Sequence, residues 1–313
     1  MPSLSDLAAC FAALRAHYGC ATTGASACGQ GQGRAILNAA PASTASAFER
    51  ALSVLLGFDK ADECIAALRR LGGIESGLAA KECAVADASL PARLLDLSPA
   101  ALEAAIRPAG NSRLKLPRLR GFLEFLVHRG EEGDDLFAAP EPFFLPGASA
   151  AELHALADSE DLRGSLALVR GISLETADQV LLFAFDYQVF PGSGQAWRFL
   201  QRHGFIAEDA DYLEMQELLQ AALQLDFEAL TDSGAGQPDS GAALADSGAA
   251  DFGAADSGAV AAGAANLPEL ALARHYKESW FLLRQLCSEF CRASKFLCDA
   301  CPLRSYMEYQ PCE

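Results

Sequence analysis

Apolar residues recur three and four positions apart along most of this chain, and strand-like alternation is scarce, which confines it to an all-α fold. Leu4, Leu7, Phe11 and Leu14 make one stripe; Leu52, Leu55 and Leu56 mark the buried face of a periodic segment from Phe48 to Leu71. Ser98-Pro99 joins a favoured N-cap to a residue suited to the first turn. Leu102 and Ile106 follow at i,i+4, and Arg107-Pro108-Ala109-Gly110 ends that helix. Another helix runs from Arg113 to His128. Beyond a Pro- and Phe-rich connection at 139–147, the patterns at 151–168 and 174–185 predict two helices joined by a tight hairpin, Val169-Arg170-Gly171-Ile172-Ser173. A last helix around Trp280 to Phe290 leads into a cysteine-rich tail.

With 313 residues, 51% of them hydrophobic, the chain can bury a sizeable core, which excludes a disordered tail, a coiled coil or a small disulfide scaffold. The 24 Lys plus Arg against 41 Asp plus Glu give a net charge of −17, so the average surface repels phosphate, and nucleic-acid binding requires a local basic patch. Two segments carry no helical pattern. Residues 20–46 are rich in Gly, Ala, Ser and Thr and read as a loop. In 231–266 the tetrapeptide Asp-Ser-Gly-Ala starts at 232, 239, 246 and 256 with no basic residue, the pattern of a flexible low-complexity insertion.

The N-terminus shows no secretory signal, and the longest strongly apolar stretch, Val180 to Phe185, falls far short of the ~20 residues of a membrane span. The expectation is a cytoplasmic monomer with no membrane partner. In that reducing compartment the ten cysteines are not a disulfide framework. Five of them crowd between Cys287 and Cys312, and the C-x6-C-x2-C core of Cys291, Cys298 and Cys301 is spaced to wrap one centre. Four thiolates suit a [4Fe–4S] cluster or, as the alternative, tetrahedral zinc. Cys312 and Cys287 compete for the fourth position. Met307 is the weaker donor, because a thioether binds such a cluster poorly.

Hairpin and cysteine tail together resemble the endonuclease III branch of the helix-hairpin-helix DNA glycosylases, within it the endonuclease III-related proteins that include 3-methyladenine glycosylase III. Phe48-Glu49 is similar to the opening of that family's first barrel helix, Leu97-Ser98-Pro99 through Gly110 to its "LSPEEL…IRPAG" segment, and Leu162-Arg163 through Ala177-Asp178 to its hairpin. Glu289-Phe290-Cys291 and Cys298 to Leu303 are similar to its cluster tail. The resemblance implies a six-helix barrel at 47–186, with the helix-hairpin-helix at 162–185. A second helical domain would comprise 187–230 and 267–313, carry the [4Fe–4S] loop and pack with the N-terminal segment 1–46; 231–266 would be an insertion.

The resemblance also implies base-excision repair on double-stranded DNA containing a damaged base. In such a fold the hairpin offers backbone N–H groups and a helix N-terminus to a phosphate, here through Arg170, Gly171, Ile172, Ser173 and Thr176. The damaged base is flipped out of the stack, an Asp carboxylate assists its departure, and in bifunctional members a Lys forms a Schiff base. Here Glu175 occupies the Lys position, which argues against lyase chemistry, and Ser193 occupies the Asp position. A hydroxyl cannot stabilise a developing cation as a carboxylate does. Gly192 and Gly194 loosen the backbone around Ser193, and Asp186 either substitutes for the missing acid or caps a helix end. Ser173 replaces a hairpin glycine and is tolerable only at negative φ. Phe58, in the segment similar to the family's base-replacing one, is either a wedge between bases or core.

Arg107, Arg113, Lys115, Arg118 and Arg120 form a strip with no acid between 107 and 123, either a phosphate-binding surface or a solvated helix face. Two functions follow: a monofunctional DNA glycosylase, or a non-enzymatic iron–sulfur descendant that binds DNA or protein.

Overall fold

Ser46 opens the first long packed segment with a capping box: its Oγ accepts from Glu49 N at 3.2 Å, and its own N–H donates to Glu49 Oε2 at 3.1 Å. In the computed structural model, which describes residues 2–18, 46–73, 90–131, 159–232 and 267–306, such local signals set the bounds of a succession of α-helices. These are α1 (Leu4–Tyr18), α2 (Ala47–Leu56), α3 (Ala61–Leu71), α4 (Leu90–Leu95), α5 (Pro99–Ile106), α6 (Ser112–Glu131), α7 (Ser159–Ala167), α8 (Leu174–Phe185), α9 (Gly194–Arg202), α10 (Tyr212–Asp232) and α11 (Leu267–Glu289). Among the described residues there is no strand, only an isolated bridge between Cys291 and Phe296. The protein is all-α, as the periodicity requires.

The periodic segment from Phe48 to Leu71 is not one helix. At Gly57 the chain turns left-handed, with φ +81°, and the Gly57 and Phe58 N–H groups close onto Val54 O and Ser53 O at 2.9 and 2.8 Å. A new helix, α3, starts at Ala61. Ser98 caps α5 through Ala101 N at 3.3 Å, with Pro99 in the first turn.

Two groups of helices share the core. Helices α2 to α8 form one, in which α8 packs on both α2 and α7 while α6 packs on α4, α5 and α2. In the other, α1 packs along α10 and α11, and α9 along α11. Helix α8 also meets α11, and there Phe58, Phe183, Trp280 and Phe281 interlock with centroid separations between 4.9 and 5.5 Å. These edge-on aromatic contacts join the two groups. A buried polar cluster fastens the second: Arg15 of α1 and His275 of α11 both reach Asp226 of α10.

Helix α10 runs through Thr231 and Asp232, so helix extends two residues into the segment read as an insertion. The rest of that segment, the 20–45 stretch, the 139–147 connection, Met307 and Cys312 lie outside the described residues. No described helix is long and apolar enough to cross a membrane.

Candidate functional site: the hairpin and its surroundings

The hairpin between α7 and α8 is closed by Val169 N to Leu166 O and Ile172 N to Val169 O, each at 3.0 Å. Gly171 has φ +87°, and a Cβ there would lie 3.4 Å from the Arg118 backbone of α6. Glycine is therefore demanded by conformation. Ser173, at φ −87° and ψ 167°, needs no such freedom and caps α8, accepting from Thr176 N at 3.3 Å. Among the described residues the N–H groups of Gly171 and Ser173 have no acceptor, and both residues are exposed beside the positive end of the α8 dipole.

Two hairpin residues expected to touch DNA do not present free groups. The Ile172 N–H is spent inside the turn and its side chain is buried. Thr176 is buried too; its N–H goes to the cap and its hydroxyl lies 3.1 Å from that of Ser173. Arg170, Gly171 and Ser173 remain accessible.

Glu175 stands in the first turn of α8, half-buried, and accepts from Gln179 Nε2 at 3.2 Å. Burial pushes its carboxyl above the usual carboxylate range, against the opposing charge of Arg118. Arg118 itself donates from Nε to Gly171 O at 2.9 Å, so one guanidinium ties α6 to the hairpin and faces Glu175.

Ser193 is the N-cap of α9, its Oγ accepting from Ala196 N at 3.0 Å. The loop before it is not loosened by its glycines. Gly192 N donates to the Tyr212 hydroxyl at 3.2 Å, and a Cβ on Gly192 would strike Met215 and stand 3.3 Å from the Tyr212 ring, so glycine is there for close packing. Phe190 N is held by Gln220 Oε1 at 2.9 Å. Asp186 caps the far end of α8 in the left-handed region and pairs with Lys277 of α11. It is a helix-end anchor rather than a replacement acid.

Other expected contacts are redirected. The Phe58 ring is only 5% exposed inside the aromatic cluster, so it is core and not a wedge between bases. Lys115 points inward: its Nζ donates to Leu56 O at 2.5 Å and Ala109 O at 2.7 Å, capping the end of α2, and burial lowers its pKa. Arg113 stays exposed, and Arg120 stands 4.0 Å from Glu124. Asp178, which closes the hairpin segment in the sequence but was not singled out there, is a buried anchor of the site that Arg163, Tyr212 and Gln216 all reach. An acid among apolar neighbours on a buried helix face was the available clue.

In the tail, Leu297 N returns to Phe290 O at 2.8 Å, folding the chain back on the end of α11. The neighbouring Cys287 thiol and the Arg202 guanidinium favour the thiolate on Cys291 against its burial, while Cys287 Sγ itself donates to Gln195 O at 3.5 Å. Arg202 Nη1 lies 3.3 Å from Cys291 Sγ, and Arg198 Nε donates to Cys291 O at 3.2 Å. Soft donors under two guanidiniums match the chemistry of an anionic thiolate-bound cluster. Among the described residues, however, no three Cys, His, Asp or Glu side chains gather closely enough to hold a metal ion.

No protein-family model matches the chain. Over 214 residues, 68% of this chain and 69% of the other, it is 25% identical to a Methanocaldococcus jannaschii protein named as a putative DNA repair glycosylase. The crystal structure of H. pylori 3-methyladenine DNA glycosylase bound to 1,N6-ethenoadenine aligns with 89% of this chain and 97% of its own, at TM-score 0.49 and 16% identity. The likeness to a DNA repair glycosylase over two thirds of the chain, together with the hairpin on its left-handed glycine, supports the helix-hairpin-helix DNA glycosylase superfamily.

Proposed function

We propose that this protein is a base-excision-repair DNA glycosylase of the endonuclease III-related, 3-methyladenine glycosylase III-like branch, acting as a cytoplasmic monomer on duplex DNA with a damaged base. The observation that carries the reading is the half-buried Glu175 carboxyl, raised by burial, beside a hairpin whose Gly171 and Ser173 N–H groups have no acceptor among the described residues. The hairpin grips one phosphate, and the flipped base enters next to Glu175. A carboxyl held above its usual range keeps its proton to higher pH and is better suited to donating it. It gives its proton to the departing base as the C1′–N bond breaks, the bonding electrons leaving with the base. Water then adds to C1′ and returns a proton to the carboxylate. With Glu175 in the place where an amine would stand, no Schiff base forms and the strand is not cut.

Ser193 favours a second reading. Its hydroxyl is engaged by Ala196 N, and no carboxylate stands at that position, which suits a protein that binds lesions without excising them. Single-turnover base release from alkylated and deaminated duplexes decides between the two. Release by wild type that is lost in Glu175→Gln supports the glycosylase. Binding to an abasic-site analogue without release, with activity gained by Ser193→Asp, supports the lesion binder.

For the tail we propose a [4Fe–4S] cluster on Cys291, Cys298, Cys301 and Cys312, with zinc as the alternative. The C-x6-C-x2-C spacing and the contacts of Arg198 and Arg202 with Cys291 support it. Bound there, it would pin the tail to α9 and α11. About four irons per purified chain is the expected result; one zinc and no colour would overturn it.

A further inference from the structure

The turn between α2 and α3 holds its backbone in the left-handed region. Gly57, Phe58 and Lys60 have φ of +81°, +66° and +55°, so three residues of a four-residue turn are left-handed and two of them carry side chains. Each such non-glycine residue is unfavourable and persists only where its surroundings over-determine it. Those surroundings are the aromatic clamp on Phe58, the Phe58 N–H bond to Ser53 O, and Lys115 Nζ on Leu56 O.

What the turn delivers is Asp59. Its side chain is 81% exposed and stands 3.6 Å from the guanidinium of Arg284, a residue of α11 that lies 225 positions along the chain. That guanidinium also lies over the Trp280 ring, 5.5 Å from its centroid. An ion pair this exposed contributes little to stability, so the fold does not need it. The strained turn is fixed through Phe58 while it holds Asp59 out to solvent beside Arg284, and strain held by rigid surroundings is a recurrent mark of functional sites.

The neighbours indicate which function. Asp59, Arg118 and Arg284 all act electrostatically on Lys115, and Arg118 bonds Gly171 O and faces Glu175. One cation from α6 and one from α11 are thus close enough to act on the same lysine, in a chain whose acids outnumber its bases. Arg284 is the member of this group placed by a stacking platform and an exchangeable partner. A phosphate oxygen can take the carboxylate's place at the guanidinium, leaving the exposed Asp59 to water, and the Trp280 face keeps the guanidinium in place during the exchange.

We propose that Arg284 is a second DNA-phosphate contact, separate from the hairpin, held ready by Trp280 and by its ion pair with Asp59. The inference rests on the DNA-binding reading above. The test measures the affinity of full-length wild type, Arg284→Ala, Arg284→Lys, Asp59→Asn and, as control, Arg274→Ala, an exposed arginine of the same helix. The probe is a duplex containing an abasic-site analogue, titrated between 50 and 200 mM KCl. Arg284→Ala should bind every duplex several-fold more weakly and lower the slope of log K against log[KCl] by about 0.9. Arg284→Lys should keep the slope, Asp59→Asn should bind more tightly, and Arg274→Ala should match wild type, all with unchanged melting temperatures. Wild-type binding with an unaltered slope in Arg284→Ala overturns the contact while leaving the DNA reading intact. Absence of duplex binding by wild type overturns both.

Discussion

Arg163 grips Asp178 through two parallel hydrogen bonds, Nε to Oδ1 at 2.6 Å and Nη2 to Oδ2 at 2.8 Å, although the Asp178 side chain is wholly buried in α8. Tyr212 and Gln216 of α10 add two more donors, each 2.7 Å from Oδ2. The Tyr212 hydroxyl in turn accepts from Gly192 N. One carboxylate therefore joins both helices of the hairpin to α10 and, through a tyrosine, to the loop that presents Ser193. Satisfied on every side, it is stable; with a partner removed, it leaves an uncompensated charge or unpaired donors.

Asp178→Ala should therefore lower unfolding free energy by about 3 kcal/mol, the lower end for a broken buried pair because Arg163 retains some access to water. Urea denaturation followed by circular dichroism measures it. A loss below 1 kcal/mol would mean that the network relaxes around the gap.

Ser193 separates structure from chemistry. As the N-cap of α9 it should be replaceable by Asp at almost no cost in stability, since both side chains accept from the same backbone N–H, whereas Ser193→Ala should cost about 1 kcal/mol. Thermal melts of the three proteins check this. If Ser193→Asp melts well below wild type, the added charge is not tolerated in that loop, and its activity could not be read as a statement about catalysis.

Much of this site was legible because short-range rules govern it. Gly171 and Ser173 declare a left-handed turn and an N-cap, and α8 begins and ends where the pattern 174–185 places it. Residue type left Phe58 open between wedge and core and gave Lys115 to an exposed strip, because it reports only what a side chain could do. The turn at Gly57 aims one at the aromatic cluster, and the orphan carbonyls at the end of α2 draw in the other. Asp178 with Tyr212, and Asp59 with Arg284, are contacts across 34 and 225 residues, which no local pattern encodes.

Asp226 should govern acid stability. Burial alone would raise its pKa, but His275, whose Nε2 lies 3.1 Å away, and the Arg15 guanidinium outweigh that and hold it below its ordinary value of 3.8. A carboxylate depressed in the folded state stabilises the protein fully above the unfolded value, and that contribution is lost as pH falls through the folded one. Asp226→Asn should therefore be less stable than wild type at pH 7, and the gap should close below about pH 4. Unfolding free energy measured from pH 7 to pH 2 shows it; a gap that stays constant across that range would remove Asp226 from the acid response.

Glu175 carries the opposite sign, and with it the sharpest test. Its carboxyl is raised by burial, so the folded protein favours the protonated form, and the stability this gives is lost as pH rises through the folded pKa. Glu175→Gln, which keeps the shape and the contact with Gln179, should melt like wild type at pH 4 and no lower than wild type at pH 8. Base release should carry the same sign. A proton donor works only while protonated, so the wild-type single-turnover rate should fall as pH rises through the same pKa; Glu175→Gln should lose at least ~100-fold below it, the gap narrowing above it. A side chain whose replacement spares stability yet abolishes turnover is kept for chemistry. Base release by Glu175→Gln at the wild-type rate would take the proton from another group and return Glu175 to the surface of α8.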